Sequence, residues 1–244
     1  MQRLYSSSKN IAGDKIIVDD KTQLHHLKDV LRIKVGNEVV VFDEQGNEYS
    51  TNVEEILAQK LILKVKAKQK SIPVGRFKVT VACAIAKKGK FDDIVDKLTQ
   101  LGVDKIIPLD TERVVVRLNK NKKASRLERW KKIALSAAQQ SQRNSLPVIS
   151  PVKSIEEVLS ESGSYDLKII PHLTGERKTL KEIFNKGNFK NILVLIGPEG
   201  DFTPGEVSLA LEADFIPVTL GDSVLRVETA AIAVAAFIRL YENS

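Results

Sequence analysis

Two stretches near the end of the chain hold residue types that can do chemistry. Residues 195–202 read LIGPEGDF: an apolar run over 192–196 stops at Gly197-Pro198-Glu199-Gly200, and a helix start follows. A two-glycine turn lets backbone amides and carbonyls approach a ligand closely, because no Cβ intervenes. Residues 220–229 read LGDSVLRVET, with Arg226 and Glu228 set among Val224, Leu225 and Val227. A charged pair in an apolar loop needs compensation. It is either an internal ion pair that pins the loop or a pair kept for a substrate. A guanidinium stays cationic throughout a reaction and stabilises negative charge that develops on its partner.

Neither loop is phosphate machinery. The chain has no GxGxxG, and Gly89-Lys90 lacks the upstream glycine of a P-loop and is followed by Phe91. Glycine loops of this kind suit a neutral or zwitterionic ligand such as a nucleoside better than a triphosphate. Thr203, Pro204 and Glu206 read as helix cap, first helical residue and far half of a capping box, so they need no chemical role.

These loops need strands to aim them. After Arg76, strand candidates at 77–85, 105–109, 167–171, 192–196 and 216–220 alternate with helix candidates at 91–101, 125–142, 155–160, 179–184, 204–213 and 229–241. The pattern predicts an α/β domain whose mostly parallel sheet is covered on both faces. Ligands of such sheets sit beyond the carboxyl ends of the strands, where the Gly197 loop falls. The last helix, ETAAIAVAAFIRL, is apolar around most of its circumference, which fits core packing or a subunit interface equally well.

Residues 1–70 follow a different period. Short runs rich in valine and isoleucine at 15–19, 38–42, 48–56 and 60–68 are separated by the turn signals Gly36-Asn37 and Gly46-Asn47, and 23–31 has helical leucine spacing. A small barrel-like β domain is expected, with 71–75 as linker.

The net charge is +7, and between Arg113 and Lys132 lie nine basic residues and one acid, Glu128. That segment carries the whole imbalance. It is either a solvated helix face or the footprint of a polyanion such as a nucleic acid. One cysteine and three histidines give no disulfide and no zinc spacing. No secretory signal or membrane span is read, so a cytoplasmic, metal-free protein is the default expectation.

The motifs "LIGPEGDFTPGEV" (195–207) and "LGDSVLRVETAAIAVAAF" (220–237) resemble the RsmE-type 16S ribosomal RNA uracil-N3 methyltransferases of the SPOUT superfamily. The likeness extends to "RLY" (3–5), "HHLKDVLRIKVGNEVVVFD" (25–43), "KLTQLGVDKIIPLDTERVVV" (97–116) and "RWKKIALSAAQQSQRNSLPVI" (129–149). The sequence departs from the family pattern at Gln100, at Ser136 and at Asp222-Ser223, which bears on loop detail.

The resemblance implies a PUA-like β-barrel RNA-binding domain over 1–72 and a trefoil-knotted SPOUT methyltransferase domain over 73–244, paired as a homodimer. It implies S-adenosylmethionine as cofactor, held by His172, Gly197, Glu199, Gly200, Leu220, Gly221, Val224 and Leu225. Its product would be 3-methyluridine in the RNA of the small ribosomal subunit. Arg226 would stabilise the charge left when uracil N3 loses its proton, and Glu228 would either orient Arg226 or assist proton removal. Arg3, Arg32, Arg113, Lys122, Lys123, Arg126 and Arg143 are the expected RNA contacts. Two rivals are a non-catalytic RNA-binding or assembly protein that kept the fold and an enzyme acting on a small nucleotide.

Overall fold

Valine- and isoleucine-rich runs become strands in both halves of the chain, but their surroundings differ. The computed structural model describes residues 2–70, 75–87, 89–114, 119–173, 175–185 and 187–242. Contacts divide the chain into two compact units, Met1–Pro73 with Ala138–Leu146, and Val74–Ala137 with Pro147–Ser244.

In the first unit, β1 (Gln2–Tyr5), β2 (Ile11–Ala12), β3 (Lys15–Val18), the short helix α1 (Lys21–His25), β4 (Glu38–Phe42), β5 (Asn47–Ile56) and β6 (Leu61–Lys70) follow in order. The sheet runs β1-β4-β5-β6-β3-β2. Only β1 and β4 pair in parallel. QRLY is too short to show an alternating pattern, and β1 forms because its backbone finds β4, burying Leu4. The 23–31 helix begins earlier than expected and widens into a π-helical turn over His26–Val30, with Leu24 and Leu27 buried against Ile16, Val41 and Leu63. The turn between β4 and β5 closes on buried Asp43, whose carboxylate accepts from the Gln45 and Asn47 amides, each at 2.9 Å, and from the Tyr49 hydroxyl at 3.0 Å. Gly46 there has φ +73°, which only glycine adopts freely.

The second unit contains β7 (Lys78–Ala84), α2 (Lys90–Gln100), β8 (Lys105–Asp110), α3 (Lys120–Gln140), β9 (Val148–Ile149), β10 (Lys153–Ser154), α4 (Ile155–Ser160), β11 (Leu167–Pro171), β12 (Lys178–Thr179), α5 (Leu180–Phe184), β13 (Asn191–Ile196), α6 (Pro204–Glu212), β14 (Ile216–Thr219) and α7 (Val227–Tyr241). The sheet order is β10-β8-β7-β13-β11-β14-β12, with β9 beside β8, and every pairing is parallel. Alternate residues of each strand feed opposite cores. Val79, Val81, Ile192 and Val194 pack with residues of α2, α3, α5 and α7, whereas Ala82, Leu193 and Leu195 pack with residues of α4 and α6. Burial on both faces explains why these strands read as continuous apolar runs. Helix α3 begins five residues before the expected 125, and its last residues cluster with the first unit.

Candidate functional site

Strands β13, β11 and β14 are neighbours in the sheet, so the loops that leave their carboxyl ends meet. Together they line a cleft of about 90 Å³. His172 enters it from the loop after β11, Gly197 and Glu199 from the loop after β13, and Leu220, Gly221, Val224 and Leu225 from the loop after β14. These residues are scattered over more than fifty positions, and the parallel sheet brings them to one place. Gly200 is absent from the lining, and its carbonyl accepts from Arg113 Nη1 at 2.9 Å. At Gly197 the backbone packs closely on Phe202, and a Cβ would lie 3.0 Å from its ring, tight enough that the ring would have to shift.

The loop after β13 is held on three sides. Glu199 Oε1 accepts from the Lys87 amide at 3.3 Å, and Arg113 reaches the carbonyls of both Gly200 and Phe202. Asp201, in the left-handed region at φ +58°, places its carboxylate 3.0 Å from His172 Nδ1. The capping box of α6 forms as expected, and Glu206 also accepts from the Glu112 amide at 2.9 Å. Its structural assignment therefore stands.

Arg226 and Glu228 do not form the internal ion pair considered from the sequence. Residues two apart at a helix start point to different sides. Glu228 instead pairs with Lys90 of α2. Burial acts to raise the Glu228 pKa, but the Lys90 hydrogen bond, its own amide and the charges of Lys90 and Arg226 prevail and hold it below the ordinary carboxylate range. Arg226 is the N-cap of α7, exposed, with no side-chain partner among the described residues. Caps of this kind favour serine, threonine, aspartate or asparagine, and a cation meets the positive end of the helix dipole there. A rule of local stability is broken beside the cleft. Cys83, at the end of β7, is fully buried, and burial together with Glu228 and Glu199 pushes its thiol pKa up, so it is no nucleophile.

The basic segment is more engaged than its composition implies. Arg129 and Arg126 both face Asp92 of α2, at 2.7 and 4.0 Å, and the buried Trp130 donates its indole N–H to the same carboxylate at 3.1 Å. Lys123 lies 3.3 Å from Asp110, and Lys131 pairs with Glu128 at 2.8 Å. Lys122 and Lys132 are exposed and have no acidic partner among the described residues. Arg117 lies outside the described residues. In the first unit, Arg32 is exposed, Arg3 binds Glu48 and the Asn144 side-chain carbonyl, and Arg143 is buried. Sequence reading missed Lys90, Asp92, Asp201 and Arg177, which also lines the cleft. The run Lys87-Lys88-Gly89-Lys90 after a buried strand was the available signal for the first of these.

Comparison with known proteins agrees with this layout. Residues 73–239 match the family model described as an RNA methyltransferase domain, and residues 13–66 match the one described as an RNA methyltransferase PUA domain. The chain is 31% identical to ribosomal RNA small subunit methyltransferase E of Rickettsia conorii, over 98% of this chain and 95% of that one. It is 33% identical to the protein of the same name from Synechocystis, over 91% and 72%. Among solved structures, ribosomal RNA small subunit methyltransferase E from Neisseria gonorrhoeae, bound to S-adenosyl methionine, superposes with a TM-score of 0.87 at 28% identity, covering 99% of this chain and 98% of that one. A putative methyltransferase from Legionella pneumophila in complex with SAM also gives 0.87, at 27% identity over 98% and 97%. With both sheet-forming regions matched and a cleft at the carboxyl ends of its parallel strands, the chain belongs to the RNA methyltransferase family that includes ribosomal RNA small subunit methyltransferase E.

Proposed function

We propose that this protein transfers a methyl group from S-adenosylmethionine to N3 of a uridine in 16S ribosomal RNA of the small subunit. The carrying observation is the cleft formed by the loops after β11, β13 and β14, with Arg226, which has no side-chain partner among the described residues, between the lining residues Leu225 and Val227. The lining fits a cationic nucleoside. Val218, Leu220 and Leu225 offer apolar surface, Glu199 and Asp201 offer negative charge, and no cluster of phosphate-binding cations is present among the described lining residues. His172, Gly197, Glu199, Leu220, Gly221, Val224 and Leu225 would hold the cofactor, with Gly200 and Arg113 fixing the loop from behind. When bound, the cofactor supplies an electrophilic methyl group.

The chain's own residues then have two tasks. N3 must lose its proton, to solvent water, before its lone pair is available, and the resulting charge spreads onto O2 and O4. Arg226 meets that charge, with N–H groups that have no side-chain partner among the described residues. Glu228 is already bound to Lys90 and held ionised at a lowered pKa, which makes it a weak proton acceptor. Its role is to tie the first turn of α7 to α2. Alignment of the methyl donor with N3 supplies much of the rate enhancement.

Because N3 is engaged in base pairs, the target uridine is single-stranded or turned out of its helix. The PUA domain and the exposed Lys122 and Lys132 hold surrounding phosphates, which give affinity and position rather than base identity. The protein works as a homodimer in the cytoplasm, and the exposed Ala233 and Leu240 of α7 support such a face.

The test is methyl transfer from labelled S-adenosylmethionine to small subunits lacking the modification, followed by nucleoside mass spectrometry. 3-Methyluridine is the expected product. Label in another nucleoside overturns the substrate atom, and RNA binding without transfer overturns the enzymatic reading.

A further inference from the structure

One cleft residue has a chemistry that none of the assignments above uses. Arg177 stands six residues beyond β11, and its Nη1 donates to the His172 carbonyl at 3.2 Å. His172 in turn meets Asp201 at 3.0 Å, so a polar chain crosses the cleft from the loop after β11 to the loop after β13. Arg177 is the one guanidinium or ammonium group among the described residues that line the cleft, and Glu199 and Asp201 are the two carboxylates in the same lining. The lining therefore carries a net negative charge with a single positive point in it.

The ligand proposed for this cleft has the complementary pattern. S-adenosylmethionine carries a sulfonium, an ammonium and one carboxylate, so it is a net cation with a single negative group. Two acids match its two cationic centres, and one arginine matches its one anionic group. A guanidinium also presents paired N–H groups in a plane that suits a carboxylate, and the bond to His172 uses only one of its donors.

We propose that Arg177 binds the α-carboxylate of the cofactor's amino-acid portion and thereby selects S-adenosylmethionine over cationic nucleosides that lack it. The assignment rests on the cofactor reading above. The anchoring bond to the His172 carbonyl sets the guanidinium at the carboxyl end of β11 before the ligand arrives, which lowers the ordering cost of binding.

The experiment is direct binding by calorimetry to the full-length protein, with S-adenosylmethionine and its decarboxylated analogue as the two probes. Wild type is expected to prefer the carboxylated ligand by about 10- to 100-fold, the range of a charge-assisted hydrogen bond. Arg177→Ala is expected to abolish that preference by weakening the carboxylated ligand, while affinity for the decarboxylated ligand does not fall. Arg177→Gln keeps an N–H donor for the His172 carbonyl and should behave like alanine, whereas Arg177→Lys should keep part of the preference. The assignment is overturned if Arg177→Ala retains the preference, or if it weakens both ligands equally, which would make Arg177 only a loop anchor. Equal binding of both probes by wild type also overturns it, with the cofactor reading intact. Binding of neither probe overturns the cofactor reading and this assignment with it.

Discussion

The two ends of α7 each carry an arginine, and they are treated in opposite ways. At the carboxyl end, Arg239 is buried and fully engaged. It donates to the Phe77 carbonyl at 2.8 Å, to Glu242 at 2.7 Å and to Asp104 at 3.0 Å, and also reaches the Gly102 carbonyl. Glu242 turns back to accept from the Phe77 amide at 2.8 Å. This network ties the last helix to the start of β7, and a cation near a helix carboxyl end is favoured by the dipole. At the amino end, Arg226 is exposed, has no side-chain partner among the described residues, and is set against the dipole. One arginine is explained by stability alone. The other lowers helix stability and lies between two residues that line the cleft, Leu225 and Val227. Positions that break a local rule in this way are where function is expected.

Substitutions at the two ends should therefore separate activity from stability. The largest effect is expected for Arg226→Ala, which should lower methyl transfer by about 10²- to 10³-fold, as for loss of a donor to developing charge. Its thermal midpoint should not fall. Arg226→Ser should be equally inactive yet more stable by about 0.5–1 kcal/mol, because serine caps the helix. A melting temperature that drops together with activity would break the contrast. Next, Arg239→Met leaves Glu242 buried without its cation and should cost about 3–5 kcal/mol in a denaturant titration. Methyl transfer per folded molecule should be kept, and its loss would show that Arg239 also shapes the cleft.

Smaller effects refine the same contrast. Since the Glu228 pKa is lowered in the folded protein, its pair with Lys90 stabilises the fold above the ordinary carboxylate range. That contribution fades as pH falls through the lowered value. Glu228→Gln should flatten the acid limb of the stability–pH curve, by under about 1 kcal/mol for a partly exposed pair. An unchanged acid limb would remove Glu228 from the account. Least of all, Lys122→Ala with Lys132→Ala should reduce the slope of log affinity against log salt by about 0.7 per lysine for single-stranded RNA. Arg129→Ala should change the slope less, because Asp92 already engages that guanidinium. Equal slopes for all three would mean that internal pairing does not decide which cations meet the RNA.

Much of the scaffold can be read locally. The capping box at Thr203 and Glu206, the apolar strand of β13 and the continuous apolar character of β7 each follow from a few adjacent residues. Pairings between distant segments left no comparable trace. β1 exists because β4 offers it an edge, and β9, β10 and β12 are two-residue strands that exist only as parts of ladders. Seven of the eight expected cofactor contacts share one cleft, since the residues after neighbouring parallel strands must converge.

The sequence by itself determined the alternation of strand and helix, the family, and the presence of glycine loops where a ligand of a parallel sheet would sit. These depend on hydrophobic period, capping and backbone freedom, which act over a few residues. Only the tertiary structure decided which charges are spent. It gave Glu228 to Lys90 rather than Arg226, set Asp92 between Trp130 and two arginines, turned Arg113 onto the glycine loop, and placed Arg177 among the described residues lining the cleft. The reason is physical: a charge is compensated by whatever group is nearest in space, and nearness across a sheet is set by strand order, not by position along the chain.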